Sequence, residues 1–266
     1  MAKAARAEGL AREIVAVGRR RERLEPALAD GAVDRITTDI AEGMTGADFC
    51  VLATPVATLA ALLPEVWRAV PDAAVITDVG STKAGIVGAA EGLARGRALA
   101  FVGSHPMAGS ERSGYAVARA DLFRGATVIL TPTDATPRDA VKRVSQFWEA
   151  LGGRVTTLDP ATHDRAVAAI SHLPHLVADA LVDAVARLDP RFLDLAARGF
   201  KDTTRIAAAD ARVWREIFEE NRVALGETIG VFRQALDRLE ALVAAGDAAR
   251  LESELDRIRV IREGLR

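Results

Sequence analysis

Ala98-Leu99-Ala100-Phe101-Val102 runs straight into Gly103-Ser104-His105-Pro106-Met107-Ala108-Gly109-Ser110-Glu111, so an apolar segment delivers a histidine to a glycine-flanked loop. A short apolar run bounded by turn residues reads as a buried strand. Runs of the same form occur at residues 13–17, 49–53, 74–77, 127–131 and 154–157. Segments with helical periodicity, such as 56–70 and 137–151, lie between most of them. Strands alternating with helices predict an α/β fold with a mostly parallel sheet. After Asp159-Pro160 the strands stop, and Leu, Ile, Val and Ala recur at three- and four-residue intervals as far as Arg266, which predicts helices only. The boundary is placed near residue 158, with a sheet domain over 1–158 and a helical domain over 159–266. At this point His105 has two readings. An imidazole at a strand's carboxyl end can take a proton and return it near neutral pH, and it can equally cap its loop by bonding to backbone.

Composition narrows the class. Of 266 residues, 50% are hydrophobic and 27% charged, enough for one large core or two modest ones. Lys plus Arg total 35 against 37 Asp plus Glu, a balance that gives no reason to expect nucleic acid or an anionic membrane as partner. The lone Cys50 has no disulfide partner, which fits a reducing cytoplasm. Pro55, Pro64 and several threonines interrupt the best candidate for the roughly 18 apolar residues of a membrane span. The first residues lack the apolar core of a signal peptide.

The amino-terminal region departs from a complete Rossmann-like domain. In that fold the second strand ends about 20 residues after the G-x-G-x-x-G turn, at the group that reads the ribose. Residues 13–17 have the character of that second strand, and counting back from Gly18 passes Met1. The expectation is therefore a sheet without its first strand and phosphate loop, residues 1–9 being the tail of the first helix and the true start lying upstream. Gly18, Arg19 and Arg20 stand where NAD-specific enzymes carry a carboxylate. A glycine followed by arginines leaves space and charge for a 2′-phosphate, which favours NADP over NAD; the alternative is a solvated helix start. Thr54 and Pro55 end the 49–53 strand and can bring backbone close to the nicotinamide ribose. Ser81, in Asp78-Val79-Gly80-Ser81-Thr82-Lys83, suits an N-cap for a helix beginning near Thr82. That stretch is not a P-loop, since Gly-Lys-Ser/Thr and its upstream glycine are missing.

The 103–111 loop, the 78–83 stretch, Ser171-His172-Leu173-Pro174-His175 and the basic segment Gly199-Phe200-Lys201-Asp202-Thr203-Thr204-Arg205-Ile206 follow one another in an order and spacing that resembles the prephenate and arogenate dehydrogenase family of tyrosine biosynthesis. The similarity runs from about residue 13 to about residue 225. The resemblance implies oxidative decarboxylation of prephenate or arogenate with NAD or NADP. In it His105 is the base, and Ser81 bonds near the nicotinamide and reacting hydroxyl and orients His105. Arg205 holds the ring carboxylate, a task that suits a guanidinium fork; the alternative is an ion pair with Asp202 or Asp210. Ser171 and His175 face substrate and nicotinamide, Lys201 and Ser110 join the substrate contacts, and Glu111 modulates binding as pH changes. His172 is structural and His163-Asp164 orients helices. Trp214 and Asn221 match the family's Trp and Asn, with Trp214 assigned to packing. The family dimerises through its helical domain, and the amphipathic pattern over 223–266 supplies an apolar face.

Pro174 between the two histidines suggests that one helix ends and another starts there. No metal is expected, because no third His or Cys lies near this pair and the chemistry needs no Lewis acid. A short-chain dehydrogenase is excluded, since Tyr115, the only tyrosine, is followed four residues later by Arg119 rather than Lys. The β-hydroxyacid dehydrogenases and imine reductases remain a distant alternative, because none of Lys3, Lys83, Lys142 and Lys201 falls between residues 158 and 172. A non-catalytic dimeric binding module is the alternative of a different class. Prephenate and arogenate are not distinguished, and no appended regulatory module for tyrosine is expected.

Overall fold

The computed structural model describes residues 1–94, 99–109 and 114–265. Seven strands occur among them: β1 (Val15–Val17), β2 (Arg35–Thr37), β3 (Phe49–Leu52), β4 (Val75–Asp78), β5 (Ala100–Pro106), β6 (Thr127–Thr131) and β7 (Arg154–Thr157). They form two sheets, a parallel β1-β2 pair and a five-stranded sheet in the order β3-β4-β5-β6-β7. All neighbours in the larger sheet are parallel except β5 and β6. In a doubly wound sheet of order 3-2-1-4-5-6, β1 and β2 match the second and third strands and β3 to β5 the fourth to sixth. No ladder joins β1 to β3 among the described residues.

The helices follow the expected alternation: α1 (Ala2–Ala7), α2 (Glu25–Ala29), α3 (Ile40–Met44), α4 (Val56–Ala69), α5 (Ala84–Leu93), α6 (Arg138–Ala150), α7 (Pro160–Val167), α8 (Leu173–Leu188), α9 (Arg198–Thr204), α10 (Ala211–Glu220), α11 (Arg222–Ala245) and α12 (Ala248–Glu263). Strand side chains alternate faces, and each face buries its own cluster. Ile76 and Phe101 pack with Leu59, Leu63 and Trp67 of α4 and Ile86 of α5. Val75 and Val102 pack with Ala4 and Ala5 of α1 and Val144 and Trp148 of α6. The Cys50 thiol lies in the first cluster, unbonded, and burial pushes its pKa up to about 12.

Contacts divide the chain into two compact units, residues 1–221 and 222–266, whereas the strands end at Thr157. Helices α7 to α10 therefore belong to the same unit as the sheet. In the second unit α11 and α12 pack on each other around Gly246, whose φ of +67° suits a residue without Cβ.

Two expectations need correction. Pro174 does not separate two helices: α7, a π-helical segment Ala168–His172 and α8 run on as one helix. The wider turn just before Pro174 re-registers the ladder where proline cannot donate. The resulting helix, Pro160–Leu188, has 29 residues and a mean hydropathy of 1.2 over its most apolar window, so by length and composition it could cross a membrane. The count of uninterrupted apolar residues missed it because averaging tolerates Ser171 and the histidines. Those histidines are buried against protein groups of the same unit, as described next.

Candidate functional site

Strand β5 changes partner midway. Ala100–Val102 pair in parallel with β4, and Gly103–Pro106 pair antiparallel with β6, placing His105 opposite Ile129 and beyond the end of the β4 ladder. The residue before it, Ser104, is fully buried and bound on every polar atom. Its N–H donates to Asp78 Oδ1 at 3.1 Å, its hydroxyl to the Asp78 carbonyl at 2.5 Å, and its carbonyl accepts from Lys83 Nζ at 3.0 Å. Trp148 Nε1 donates to the same hydroxyl at 3.1 Å.

His105 Nδ1 lies 2.9 Å from His163 Nε2, and His163 Nδ1 lies 2.8 Å from Asp164 Oδ1. A carboxylate only accepts, so His163 carries a proton on Nδ1, and as a neutral ring it presents a lone pair at Nε2. His105 must then donate from Nδ1, which leaves its own Nε2 unprotonated. This three-residue chain fixes the tautomer that a general base requires. Asp164 is held in turn: Lys83 N–H and Ala84 N–H donate to its two oxygens at 2.8 and 2.9 Å. Burial would raise its pKa, but the bonds from His163, Ala84 and Lys83 outweigh that and hold it below the usual carboxylate range. Burial, followed by Lys83, His163 and His172, drives the His105 pKa well below the ordinary histidine value, so the imidazole is neutral at pH 7.

All four histidines of the chain gather here. Asn221 Nδ2 donates to the Asp164 carbonyl at 2.8 Å and meets His172 Nδ1 at 3.1 Å, while His172 Nε2 is buried without a protein partner among the described residues. Burial, with His163 and His175 adding and Asp164 opposing, brings His172 down to about 4. His175 stacks on Trp214 at 3.5 Å and 15°, and Trp214 also meets the edge of His172. A groove of about 440 Å³ opens beside this stack, lined by His175, Asp179, Ala207, Trp214 and Phe218. Trp214 thus touches a site histidine as well as packing.

The remaining candidate residues lie on several elements. Ser81 sits half-buried between β4 and α5 and does not cap that helix, which begins at Ala84 and takes its cap from the Asp164 carboxylate. Ser171 is half-buried in the π segment. Lys201 on α9 and Arg205 on the following 3-10 turn, Arg205–Ala208, are exposed, and that turn packs on α8. Asp202 binds Arg198 at 3.2 Å and Asp210 caps α10. Ser110 and Glu111 lie outside the described residues. Sequence reasoning missed Lys83, Asp78 and Ser104. His163-Asp164, expected to orient helices, does tie α7 to α5 and Asn221 through Asp164, and His163 in addition bonds His105. The adjacency of His163 and Asp164 on one helix was the available signal.

For a dinucleotide, the nicotinamide end fits the residues present. Thr54 Oγ1 is buried without a protein partner among the described residues at the carboxyl end of β3, and Gly80, after β4, approaches so closely that a Cβ would lie 2.7 Å from Leu59 and 2.9 Å from Asp78 Oδ2. Pro55 precedes α4 as its cap residue. Gly18 follows β1, with Arg19 and Arg20 exposed beside it, and Arg20 stands 3.8 Å from Glu22 at the start of a 3-10 turn.

Two family models cover almost the whole chain: the prephenate dehydrogenase nucleotide-binding domain over residues 1–157 and the prephenate dehydrogenase dimerization domain over 159–257. The prephenate dehydrogenase of Bacillus subtilis is 33% identical over 248 residues, which is 92% of this chain and 67% of that protein. The crystal structure of Aquifex aeolicus prephenate dehydrogenase in complex with hydroxyphenyl propionate and NAD+ superposes with a TM-score of 0.93 at 34% identity, covering 100% of this chain and 93% of that one. Synechocystis arogenate dehydrogenase superposes with a TM-score of 0.84 at 30% identity, covering 98% and 94%. With both of its domain models matched, over residues 1–157 and 159–257, the chain belongs to the prephenate dehydrogenase family.

Proposed function

We propose that this chain catalyses the NAD(P)-dependent oxidative decarboxylation of prephenate or arogenate. The observation that carries the reading is the His105-His163-Asp164 chain, which leaves His105 Nε2 unprotonated at the carboxyl end of the sheet. In this reading Nε2 accepts the proton of the ring hydroxyl as the hydrogen on the same carbon leaves with its electron pair. When bound, the nicotinamide supplies the hydride acceptor. The ring carboxylate then departs as carbon dioxide, its bonding pair flows through the ring to the oxygen, and His105 returns the proton to form the phenol. Aromatisation makes the sequence strongly downhill, so the protein's task is positioning and proton transfer. Arg205 takes the ring carboxylate, with Lys201, Ser110 and Glu111 completing the anionic substrate's surroundings. Ser171, His175 and Ser81 flank the substrate and nicotinamide, and Thr54 and Pro55 lie along the ribose.

Exposed Arg19 and Arg20 beside Gly18 favour NADP over NAD, because a guanidinium matches a 2′-phosphate. Exposed Val231, Val243, Leu255 and Ile261 on α11 and α12 favour a homodimer through the helical region. The functional boundary is placed near residue 158, and the single buried cysteine fits a cytoplasmic enzyme. The test is nicotinamide reduction with each pairing of prephenate or arogenate with NAD or NADP. Reduction with at least one pairing is expected; none with any, from folded protein, contradicts the reading.

A further inference from the structure

Lys83 and its partner Asp78 are both fully buried at the site, each with 0% side-chain exposure. Nothing in the proton transfer uses either group, and burying an ion pair costs enough that a well-packed apolar pair often serves stability as well. Its connections are specific. Lys83 Nζ donates to Asp78 Oδ2 and, at 3.0 Å, to the carbonyl of Ser104, the residue before His105. The Lys83 backbone N–H donates to Asp164 Oδ1 at 2.8 Å, the far end of the histidine chain. One residue therefore closes a ring that passes through Asp164, His163, His105 and Ser104. Gly103 makes room for it, since a Cβ there would collide with Thr131 and come within 3.3 Å of Lys83 Cδ.

We propose that the buried Lys83–Asp78 pair is a positioning device for His105, clamping the strand end through Ser104. Its ammonium also opposes protonation of the imidazole. This rests on the dehydrogenase reading only for the step that His105 performs. The groups facing His105 are Lys83 from the β4–α5 connection, His163 from α7 and His172 from the π segment, with Asp164 behind His163 and Asp78 behind Lys83. Burial lowers the Lys83 pKa and the neighbouring Asp78 and Asp164 oppose that, so the carboxylates are what hold a charge on this ammonium. Asp78 accepts from Gly80 N–H at 2.8 Å and from Ser104 N–H as well as from Lys83, so its charge is met by three donors.

The test is imidazole 15N NMR titration of the full chain beside the double variant Lys83→Met/Asp78→Asn, which removes both charges at similar volume. His105 is assigned by loss of its signal in His105→Gln. In the double variant His105 is expected to titrate at higher pH than in the unaltered protein. The acid limb of kcat/KM should move the same way, with kcat lower by roughly tenfold to a hundredfold and KM for substrate retained. A folded double variant whose His105 titration and acid limb do not move overturns the proposal. Should that variant not fold, the Lys83 13Cε shift of the unaltered protein decides: an ammonium at pH 7 beside a neutral His105 supports the proposal, and an uncharged Lys83 overturns it. Protein that shows the NMR shift but reduces no cofactor retains the clamp and removes the dehydrogenase reading.

Discussion

In the proposed reaction His105 is a base because of what its other nitrogen does. The 2.9 Å bond from Nδ1 to His163 sets the tautomer, and Asp164 sets that of His163. Replacing His163 by Ala should lower kcat by roughly tenfold to a hundredfold with little change in KM, as the imidazole loses orientation rather than identity; steady-state kinetics at fixed pH checks this. Stability should also depend on pH through the buried histidines. His105, His172 and His175 all have pKa values lowered from that of free imidazole, so the unfolded chain binds protons below about 6.5 while the folded chain does not. Stability is then full above about pH 7 and falls with pH below 6.5. His172, at about 4, contributes a loss of roughly 3 kcal/mol by pH 4. Melting temperatures measured from pH 8 to 4 should be flat and then decline, and a flat profile throughout would show these histidines to be solvated. The presence of His105 and His175 in one histidine cluster was legible from the motifs. Lys83 was not, because nothing in a sequence says that a lysine beside a glycine-serine turn is sealed beneath a strand 21 residues away.

At the scale of elements, six of the seven strands were legible from apolar runs. The missed one, β2, is Arg35-Ile36-Thr37, three residues with a single aliphatic that packs on Ala27 and Val33. Strand β5 extends past its apolar run through His105 because β6 supplies an antiparallel partner, a tertiary cause that periodicity cannot show. The cap of α5 is similarly remote. Ser81 had the right chemistry, but Asp164, 81 residues from Lys83, provides the oxygens. Asp164→Asn should therefore both slow turnover and cost about 1 kcal/mol of stability, as a lost helix cap does; chemical denaturation and kinetics on the same variant separate the two effects. The sheet's division predicts uneven protection. Amides of β4 and β5, paired on both sides, should exchange far more slowly than those of the edge strands β1 and β3. Equal protection of β3 and β4 in hydrogen exchange would mean that β3 has a second partner.

For the whole molecule, a near-neutral charge balance and a sheet capped by helices describe many oxidoreductases, so composition left the reaction open and the motifs supplied it. Exposed aliphatics on α11 and α12 predict self-association. Gel filtration at micromolar concentration should show a dimer, and Val231→Asp with Ile261→Asp should weaken it; a monomer from the unaltered chain would count against the shared interface. The most direct test of the account is the turnover of His105→Gln against the unaltered protein, followed by nicotinamide reduction with saturating substrate. A loss in kcat on the order of 10²- to 10⁴-fold with cofactor affinity retained is expected, whereas a variant keeping most of its kcat would show that proton transfer does not pass through His105.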